Sequence, residues 1–436
     1  MKDKYIEGFS LLSKEEKLKI VSEFTSNPQK AEEIYKSFWI KDNKESKIFD
    51  EFSENTISLY GLPYGIAPNF MINNKSYLLP MVTEESSVVA AAAKSAKFWS
   101  KYGGFKAKVI SSVKTGHIHF LWSGKYEIFK EFFPELKTRL YERTNDITAN
   151  MQKRGGGILD IELVNLNEEL ENYYQIKASF ETVDSMGANF INSCLEEFAD
   201  ELKLFANEKH LEEPNVIMSI LSNYTPDCVV ECSIECKTED FRDLDIDMEP
   251  EEFVKKFEAA VKIANVSTYR ATTHNKGIFN GIDAVALATG NDFRALEAGG
   301  HAFASRNGKY KSLTKISVDN GNFKYSLIIP VAVGTIGGLT ALHPLARLSL
   351  DLLANPKAKE LMMIIACAGL SNNFSAVKSL VTKGIQLGHM KMHLINILNS
   401  LEANETQKKE AIEYFKTKKV SVNNVREFLF KKDKHL

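Results

Sequence analysis

Apolar and polar residues follow two rhythms along this chain, one typical of helices and one typical of strands. Ser13 and Glu16 form the capping pattern that begins an amphipathic helix, and Asn27-Pro28 begins a second helix. Further helices are predicted over residues 85–99, 126–152, 189–207, 250–266, 342–354, 356–370 and 373–383, and in the stretch after Gly384.

The middle of the chain, residues 109–221, has strand-like and helix-like stretches in the order β-α-β-β-α-β. Strands are predicted over 109–121, 158–166, 174–183 and 216–221. This order is typical of a ferredoxin-like fold of about a hundred residues. We therefore expect an α+β protein in which a small domain is inserted into a large mixed domain. The expected division is a large domain of 1–108 and 222–383, a small domain of 109–221 and a helical C-terminal flap of 384–436.

Three cysteines spaced four apart, Cys228, Cys232 and Cys236, raise the question of a metal site. They alternate with polar residues in period 2, which indicates the buried face of a strand, and free cysteine behaves as a small apolar residue. His389 and His393 have the i, i+4 spacing of a metal pair but lack an evident third ligand. We therefore expect no metal ion.

Composition narrows the class of protein. The chain has 436 residues with 55 Lys+Arg and 57 Asp+Glu, and its net charge of −2 argues against a generally basic nucleic-acid binder. No stretch approaches the ~20 apolar residues of a membrane span, and the N-terminus has no apolar signal region. With only five cysteines, a disulfide scaffold is excluded, and we expect a cytoplasmic protein.

Neither the dinucleotide fingerprint G-x-G-x-x-G nor the phosphate loop G-x-x-x-x-G-K-[ST] occurs in suitable context. Glu84 and Glu85 stand at the head of an apolar helix, where they either balance the helix dipole or provide an acid with a raised pKa. Residues 269–283, YRATTHNKGIFNGID, are either a solvated loop or a donor-rich site. The stretches 288–301, ATGNDFRALEAGGH, and 384–393, GIQLGHMKMH, are similarly unusual.

These stretches, together with DSMGAN at 184–189, resemble the class II hydroxymethylglutaryl-CoA reductases, the soluble bacterial type. The resemblance runs from Glu54-Asn55 to Gly388-His389-Met390, with the blocks in family order. The insert at 109–221 falls where this family has a small cofactor domain that is not a Rossmann fold. The chain departs from the family pattern at Ser58, which replaces a glycine, and at Ser185, which replaces an alanine.

The resemblance implies roles for individual residues. The expected catalytic residues are Glu85, Lys276, Asp292 and His389, with Asp292 beside Lys276 to keep the lysine charged. The expected substrate contacts are Arg270, Ser87, Thr273, Asn280 and Asn373. The expected cofactor contacts are Asp160, Asp184, Met186, Gly187, Asn189 and Asn223.

The implied reaction interconverts (S)-3-hydroxy-3-methylglutaryl-CoA and (R)-mevalonate plus CoA, by two hydride transfers from a nicotinamide cofactor. Asp160 would repel the 2′-phosphate of NADPH, so we expect NADH to be preferred, with NADPH possible. The resemblance also implies a homodimer or larger homo-oligomer with active sites at the subunit interface. The alternatives are a non-catalytic acyl-CoA binding protein of the same fold and a different nicotinamide-linked reductase.

Overall fold

The computed structural model describes residues 6–382, 394–416, 418 and 420–433. The N-terminal region has three helices, α1 (Lys14–Ser22), α2 (Pro28–Ser37) and α3 (Asn43–Asp50). The first begins with the predicted capping box, in which Ser13 and Glu16 satisfy each other's main-chain N–H groups. An antiparallel hairpin of β1 (Tyr64–Ile72) and β2 (Lys75–Val82) follows, and it leads into α4 (Val88–Trp99).

A second sheet is built from strands that are distant in sequence. Its strands are β3 (Lys106–Val109), β8 (Val229–Lys237), β9 (Thr314–Asp319) and β10 (Asn322–Pro330). They pair in the order β3-β8-β10-β9, and every pair is antiparallel. Cys232, Val230 and Ile234 are buried on β8, which confirms that the cysteine spacing belongs to a strand.

The third sheet contains β4 (Lys114–Leu121), β5 (Gly157–Asn165), β6 (Tyr173–Glu181) and β7 (Asn215–Leu221). It is antiparallel with the order β5-β6-β4-β7, and α5 (Tyr126–Arg143), α6 (Asn145–Gln152) and α7 (Ala188–Glu208) accompany it. This is the predicted ferredoxin-like arrangement, with a hydrophobic core of its own around Ile118, Ile176 and Phe198.

Two boundaries in this region differ from the sequence prediction. The single strand expected over 109–121 is two strands in different sheets, because β3 ends at Val109 and pairs with β8 before the chain crosses to β4. The single helix expected over 126–152 is broken at Thr144, which ends α5 and precedes α6.

The helices that follow β8 form the larger core. They are α8 (Pro250–Val266), α9 (Thr268–Ala288), α10 (Phe293–Ala304), α11 (Leu339–Leu342), α12 (Pro344–Leu352) and α13 (Ala358–Val381). Residues 269–283 therefore lie within a helix, and the loop interpretation is wrong. The two helices expected over 356–370 and 373–383 are one, since Asn372 and Asn373 find hydrogen-bond partners in the core.

Helix α13 is long and apolar enough to cross a membrane, but 83% of its apolar window is buried inside the protein. It packs between α4, α9 and β8 as the central helix of the large core. Near the C-terminus, residues 394–400 are helical, and α14 (Glu405–Tyr414) and α15 (Val422–Asp433) follow. These C-terminal helices bury a small cluster that includes Leu398, Ala411 and Val425.

Candidate active site

A cavity of about 270 Å³ lies between the chain leading into α4, the middle of α9 and the C-terminal half of α13. All of the expected substrate contacts and two of the expected catalytic residues line it. These residues are Glu85, Ser87, Arg270, Thr273, Lys276, Asn280 and Asn373. The structure therefore brings together residues that are separated by as many as 288 positions in the sequence.

The period of the α-helix explains why one segment supplies so much of the lining. Arg270, Thr273, Gly277 and Asn280 are spaced three or four residues apart, and such residues share one face of a helix. Helix α9 can approach α13 closely because a Cβ atom at Gly281 would lie 2.3 Å from the main-chain oxygen of Ala368. The polar face of α9 thus opens onto the cavity while its glycines pack against α13.

An ion pair joins the two expected catalytic residues that line the cavity. The Nζ atom of Lys276 donates a hydrogen bond to Oε2 of Glu85, and both side chains stay partly exposed, at 58% and 39%. Glu85 is held by the chain between β2 and α4, where its main-chain N–H bonds Thr83 Oγ1 over 3.1 Å. Ser87 follows with a positive φ of 79°, a strained value for a non-glycine residue and one often found at functional sites.

Arg270 differs from Lys276 in having no carboxylate beside it. It is half-buried, and it forms no ion pair with any Asp or Glu in the described part of the chain. Burial lowers the pKa of its guanidinium from the ordinary value, but an arginine keeps its charge in proteins. The cavity therefore contains a charged donor group that is available to a ligand anion.

Two groups of the donor-rich stretch 269–283, Asp283 and His274, were given no role from the sequence. Burial raises the pKa of Asp283 on α9, and the neighbouring carboxylate of Glu297 raises it further. Lys276 acts on Asp283 in the opposite direction, so Asp283 is a carboxyl group close to the catalytic lysine. His274 also lines the cavity, and burial lowers its pKa to about 3, so its ring is neutral.

Among the described residues of one chain, Asp292 forms no ion pair with Lys276. It caps the N-terminus of α10, where it accepts hydrogen bonds from the main chain of Arg294 and Ala295. Helix α10 runs back along α9, since the phenyl ring of Phe279 lies against Gly300. Asp292 is therefore level with residue 288, roughly 18 Å along the helix from Lys276. His389, the fourth expected catalytic residue, lies outside the described residues.

The expected cofactor contacts lie on several elements, away from the cavity lining in the described chain. Asp184 accepts a hydrogen bond over 2.9 Å from the main-chain N–H of Ala358, at the start of α13. Met186 and Asn223 line a separate small pocket. Gly187, with φ of 91°, caps α7 without a side-chain hydrogen bond, and Asn189 is in the first turn of that helix.

Asp160 stands on β5, where its carboxylate pairs with the ammonium group of Lys137 on α5 over 2.5 Å. This hydrogen bond lowers the pKa of Asp160. Within the described ranges, no group of three or more His, Cys, Asp and Glu side chains is arranged to hold a metal ion.

Comparison with known proteins gives a consistent result. Residues 13–394 match the hydroxymethylglutaryl-coenzyme A reductase family. A 3-hydroxy-3-methylglutaryl-coenzyme A reductase of Archaeoglobus fulgidus is 36% identical over 398 residues, which are 90% of this chain and 86% of the relative. A probable enzyme of the same name from Borreliella burgdorferi is 32% identical over 84% of this chain and 82% of its own length.

Solved structures agree with the sequence relatives. The class II 3-hydroxy-3-methylglutaryl-CoA reductase of Streptococcus pneumoniae, bound to NADPH in open conformations, superposes with a TM-score of 0.72 at 36% identity. The alignment covers 86% of this chain and 99% of that chain. The family match, the identity to these relatives and the shared fold lead to one conclusion. The chain belongs to the hydroxymethylglutaryl-coenzyme A reductase family, the nicotinamide-dependent oxidoreductases that reduce hydroxymethylglutaryl-CoA to mevalonate.

Proposed function

We propose that the cavity binds the acyl end of hydroxymethylglutaryl-CoA and that Lys276 and Glu85 act on its thioester carbonyl. The observation that carries this proposal is the charge pattern of the cavity, an ion pair together with the carboxylate-free Arg270. Arg270 and Lys276 are six residues apart on α9, a rise of about 9 Å. This spacing suits an acyl group with a carboxylate at one end and a thioester at the other.

Arg270 holds the free carboxylate of the substrate. A guanidinium donates two parallel hydrogen bonds to a carboxylate, which fixes both its position and its orientation. The partial burial of Arg270 strengthens this attraction because less water screens it. A volume of about 270 Å³ is small for a complete acyl-CoA, so the nucleotide part of CoA lies outside the cavity.

Lys276 stabilises the negative charge that develops on the thioester oxygen as the first hydride reaches the carbonyl carbon. A cation fixed where charge develops is among the strongest catalytic devices known. The hemithioacetal then collapses by breaking its carbon–sulfur bond, which leaves an aldehyde and a CoA thiolate. We propose that His389 protonates this thiolate, since imidazole titrates near neutral pH.

Glu85 supplies the second proton. When the second hydride reduces the aldehyde, the carbonyl oxygen becomes the new hydroxyl of mevalonate. Glu85 first takes up a proton from Lys276, to which it is bonded, and then donates that proton to the oxygen, while solvent restores the proton to Lys276. The complete reaction consumes two hydrides and two protons, one proton for sulfur and one for oxygen. Ser87, Thr273, Asn280 and Asn373 complete the substrate contacts.

A reduced nicotinamide cofactor, when bound, would supply one hydride, so two cofactor molecules are oxidised for each substrate reduced. Asp184, Met186, Gly187, Asn189 and Asn223 are proposed to hold it. The start of α7 suits a pyrophosphate, because its free main-chain N–H groups are not capped by a side chain and its first turn has no acidic residue. We propose that NADH is preferred, since the Asp160 carboxylate would accept hydrogen bonds from ribose hydroxyls and repel a 2′-phosphate.

The distance of Asp292 from Lys276 supports a homodimer with composite active sites. A separation of roughly 18 Å along α9 is too long for a lysine and an aspartate of one chain to meet. Cofactor contacts are likewise absent from the cavity lining among the described residues. We propose that a second copy brings Asp292 and the cofactor to the cavity, and that this homo-oligomer acts in the cytoplasm.

Cofactor oxidation with defined substrates tests the proposal. We expect the purified protein to oxidise NADH with hydroxymethylglutaryl-CoA and to show at least a hundredfold lower kcat/KM with acetyl-CoA, which has no carboxylate for Arg270. Arg270→Gln should raise the KM for hydroxymethylglutaryl-CoA with little effect on acetyl-CoA. Binding of hydroxymethylglutaryl-CoA without any cofactor oxidation would favour the non-catalytic alternative.

A further inference from the structure

Four buried polar residues form a ring of hydrogen bonds at the wall of the cavity, and two of them, His274 and Asn373, line it. They come from four elements: His274 on α9, Thr314 on β9, Tyr325 on β10 and Asn373 on α13. Each is at most 1% exposed, although the surrounding core is apolar. Buried polar groups destabilise a protein unless they are paired, so a ring of this kind holds its members in one defined arrangement.

The side of the ring next to the cavity is fixed by the chemistry of the Asn373 amide. Its Nδ2 atom donates to the main-chain oxygen of His274 over 2.7 Å, and its Oδ1 atom accepts from the Tyr325 hydroxyl. A rotated amide would place two carbonyl oxygens 2.7 Å apart without a hydrogen between them. Asn373 is thus locked between α9 and β10.

The protonation state of His274 determines the next hydrogen bond of the ring. Burial lowers the pKa of His274 to about 3, so its ring has one N–H, and Nδ1 has no partner among the described residues. The hydrogen is therefore on Nε2, which lies 2.7 Å from Oγ1 of Thr314. The Tyr325 hydroxyl also makes a hydrogen bond with Oγ1 of Thr314 over 2.9 Å. The same Thr314 oxygen lies 2.9 Å from the Ser312 hydroxyl.

Arg270 connects this ring to the ligand. It lies one helical turn before His274, and its charge acts on both His274 and Tyr325. Its guanidinium has no hydrogen bond of its own within the described part of the chain, so its direction depends on how this turn of α9 is held. The ring ties that turn to β9, β10 and α13 at once.

We infer that Tyr325, Thr314 and His274 are positioning residues, which hold the turn of α9 so that Arg270 meets the substrate carboxylate. This inference rests on the proposed function of the cavity. It assigns a role in substrate binding to Tyr325 and Thr314, which do not line the cavity, and to His274 through its place in the ring.

The test separates positioning from plain stability by comparing KM with kcat. Tyr325→Phe and Thr314→Val each remove a hydroxyl that makes at least two hydrogen bonds. Each variant should raise the KM for hydroxymethylglutaryl-CoA roughly five- to tenfold while kcat stays within twofold. A merely structural role would reduce the folded fraction, which lowers the apparent kcat and leaves KM unchanged. Thr314→Ser, which keeps the hydroxyl, should restore the wild-type KM.

The matched control is Tyr77→Phe, which removes a buried hydroxyl bonded to Glu360 at the other end of α13. It should leave KM unchanged. In an Arg270→Gln background, Tyr325→Phe should have no further effect on kcat/KM. Losses that multiply in this double variant, or an unchanged KM in both ring variants, would overturn the inference. If Tyr325→Phe fails to fold, Thr314→Val decides alone. An inactive wild-type enzyme would instead overturn the proposed function.

Discussion

The substrate side and the proposed cofactor side of this molecule are organised in different ways. On the proposed substrate side, one face of helix α9 carries Arg270, Thr273 and Asn280. Glu85 reaches the same cavity from the segment between β2 and α4. On the cofactor side, Asp160 stands on a strand, and the other candidates stand on loops and on the start of α7. The three residues on α9 are placed relative to one another by that helix alone, whereas residues on several elements depend on how those elements meet.

The largest expected effect tests the substrate side. Lys276→Ala should lower kcat by two to three orders of magnitude, because it removes the cation that stabilises the developing oxyanion. The loss should be equal with NADH and NADPH. Lys75→Ala is the matched control, since it breaks another lysine–glutamate pair, with Glu360 over 2.7 Å, on the protein surface. Equal turnover in the two variants would contradict the role of Lys276.

A double variant tests whether Lys276 acts together with Asp292 of a second subunit. If Lys276 and Asp292 act as one unit across an interface, the double variant Lys276→Ala/Asp292→Ala should be no slower than the worse single variant. Losses that multiply would show that the two residues act independently.

A second prediction separates the two chemical steps. His389→Ala should lower the reduction of hydroxymethylglutaryl-CoA at least a hundredfold, because the CoA thiolate loses its proton donor. The same variant should retain most of its activity in reducing mevaldehyde, which releases no thiolate. Both rates are measured from NADH absorbance, and equal losses would exclude the proposed role.

A third prediction addresses the cofactor side alone. Asp160→Ala should narrow the preference for NADH over NADPH about tenfold, which corresponds to about 1.4 kcal/mol, and should leave the KM for hydroxymethylglutaryl-CoA unchanged. Lys137→Ala should act in the opposite direction, because it removes the cation that partly neutralises Asp160. The measurement is kcat/KM for each cofactor, and a wild-type preference for NADPH would contradict the assignment.

The smallest expected effect concerns stability. Because the pKa of Asp283 is raised above its ordinary value of 3.8, this carboxyl stabilises the folded state when protonated and loses that contribution as pH rises. Asp283→Asn should therefore gain stability relative to wild type as pH rises from about 4 to about 8, on the order of 1 kcal/mol in the free energy of unfolding.

The control for that experiment has the opposite sign. Hydrogen bonds from Lys101 and Tyr102 lower the pKa of Asp243. Asp243 therefore stabilises the folded state when ionised. Asp243→Asn should be less stable than wild type at pH values above the ordinary 3.8, and the difference should disappear as pH falls through the lowered pKa. Urea unfolding at several pH values measures both variants, and parallel curves for the two would contradict the assignment of Asp283.

The ferredoxin-like region was predictable from the sequence because its strands have one buried face, so apolar residues recur with period 2. Helix α9 was harder to identify, since its polar residues suggest a loop until its cavity-facing side is known. Helix α13 was divided at Asn372-Asn373 for the same reason, because two amides in an apolar run resemble a break unless their partners in the core are known.

The candidate substrate contacts were predictable because they lie in sequence blocks that resemble those of the family. The structure brings these residues into one cavity. The hydrogen-bonded ring that joins Asn373 to Thr314 and Tyr325 was not predictable from the sequence. Thr314 and Tyr325 stand on ordinary alternating strands, and nothing local indicates that their hydroxyls face Asn373. The distance between Lys276 and Asp292 likewise depends on helix length and direction, which spacing along the sequence conceals.

The position of α13 near the end of the chain has a consequence for synthesis. Its packing partners α4, α9 and β8 all leave the ribosome before it. Their apolar faces therefore stay exposed until α13 has been synthesised. The nascent protein has no complete substrate cavity until residue 381 has emerged. During that interval the exposed surfaces are open to association with other chains. A premature stop before α13 would leave a chain that aggregates, and it could not yield a shorter working enzyme.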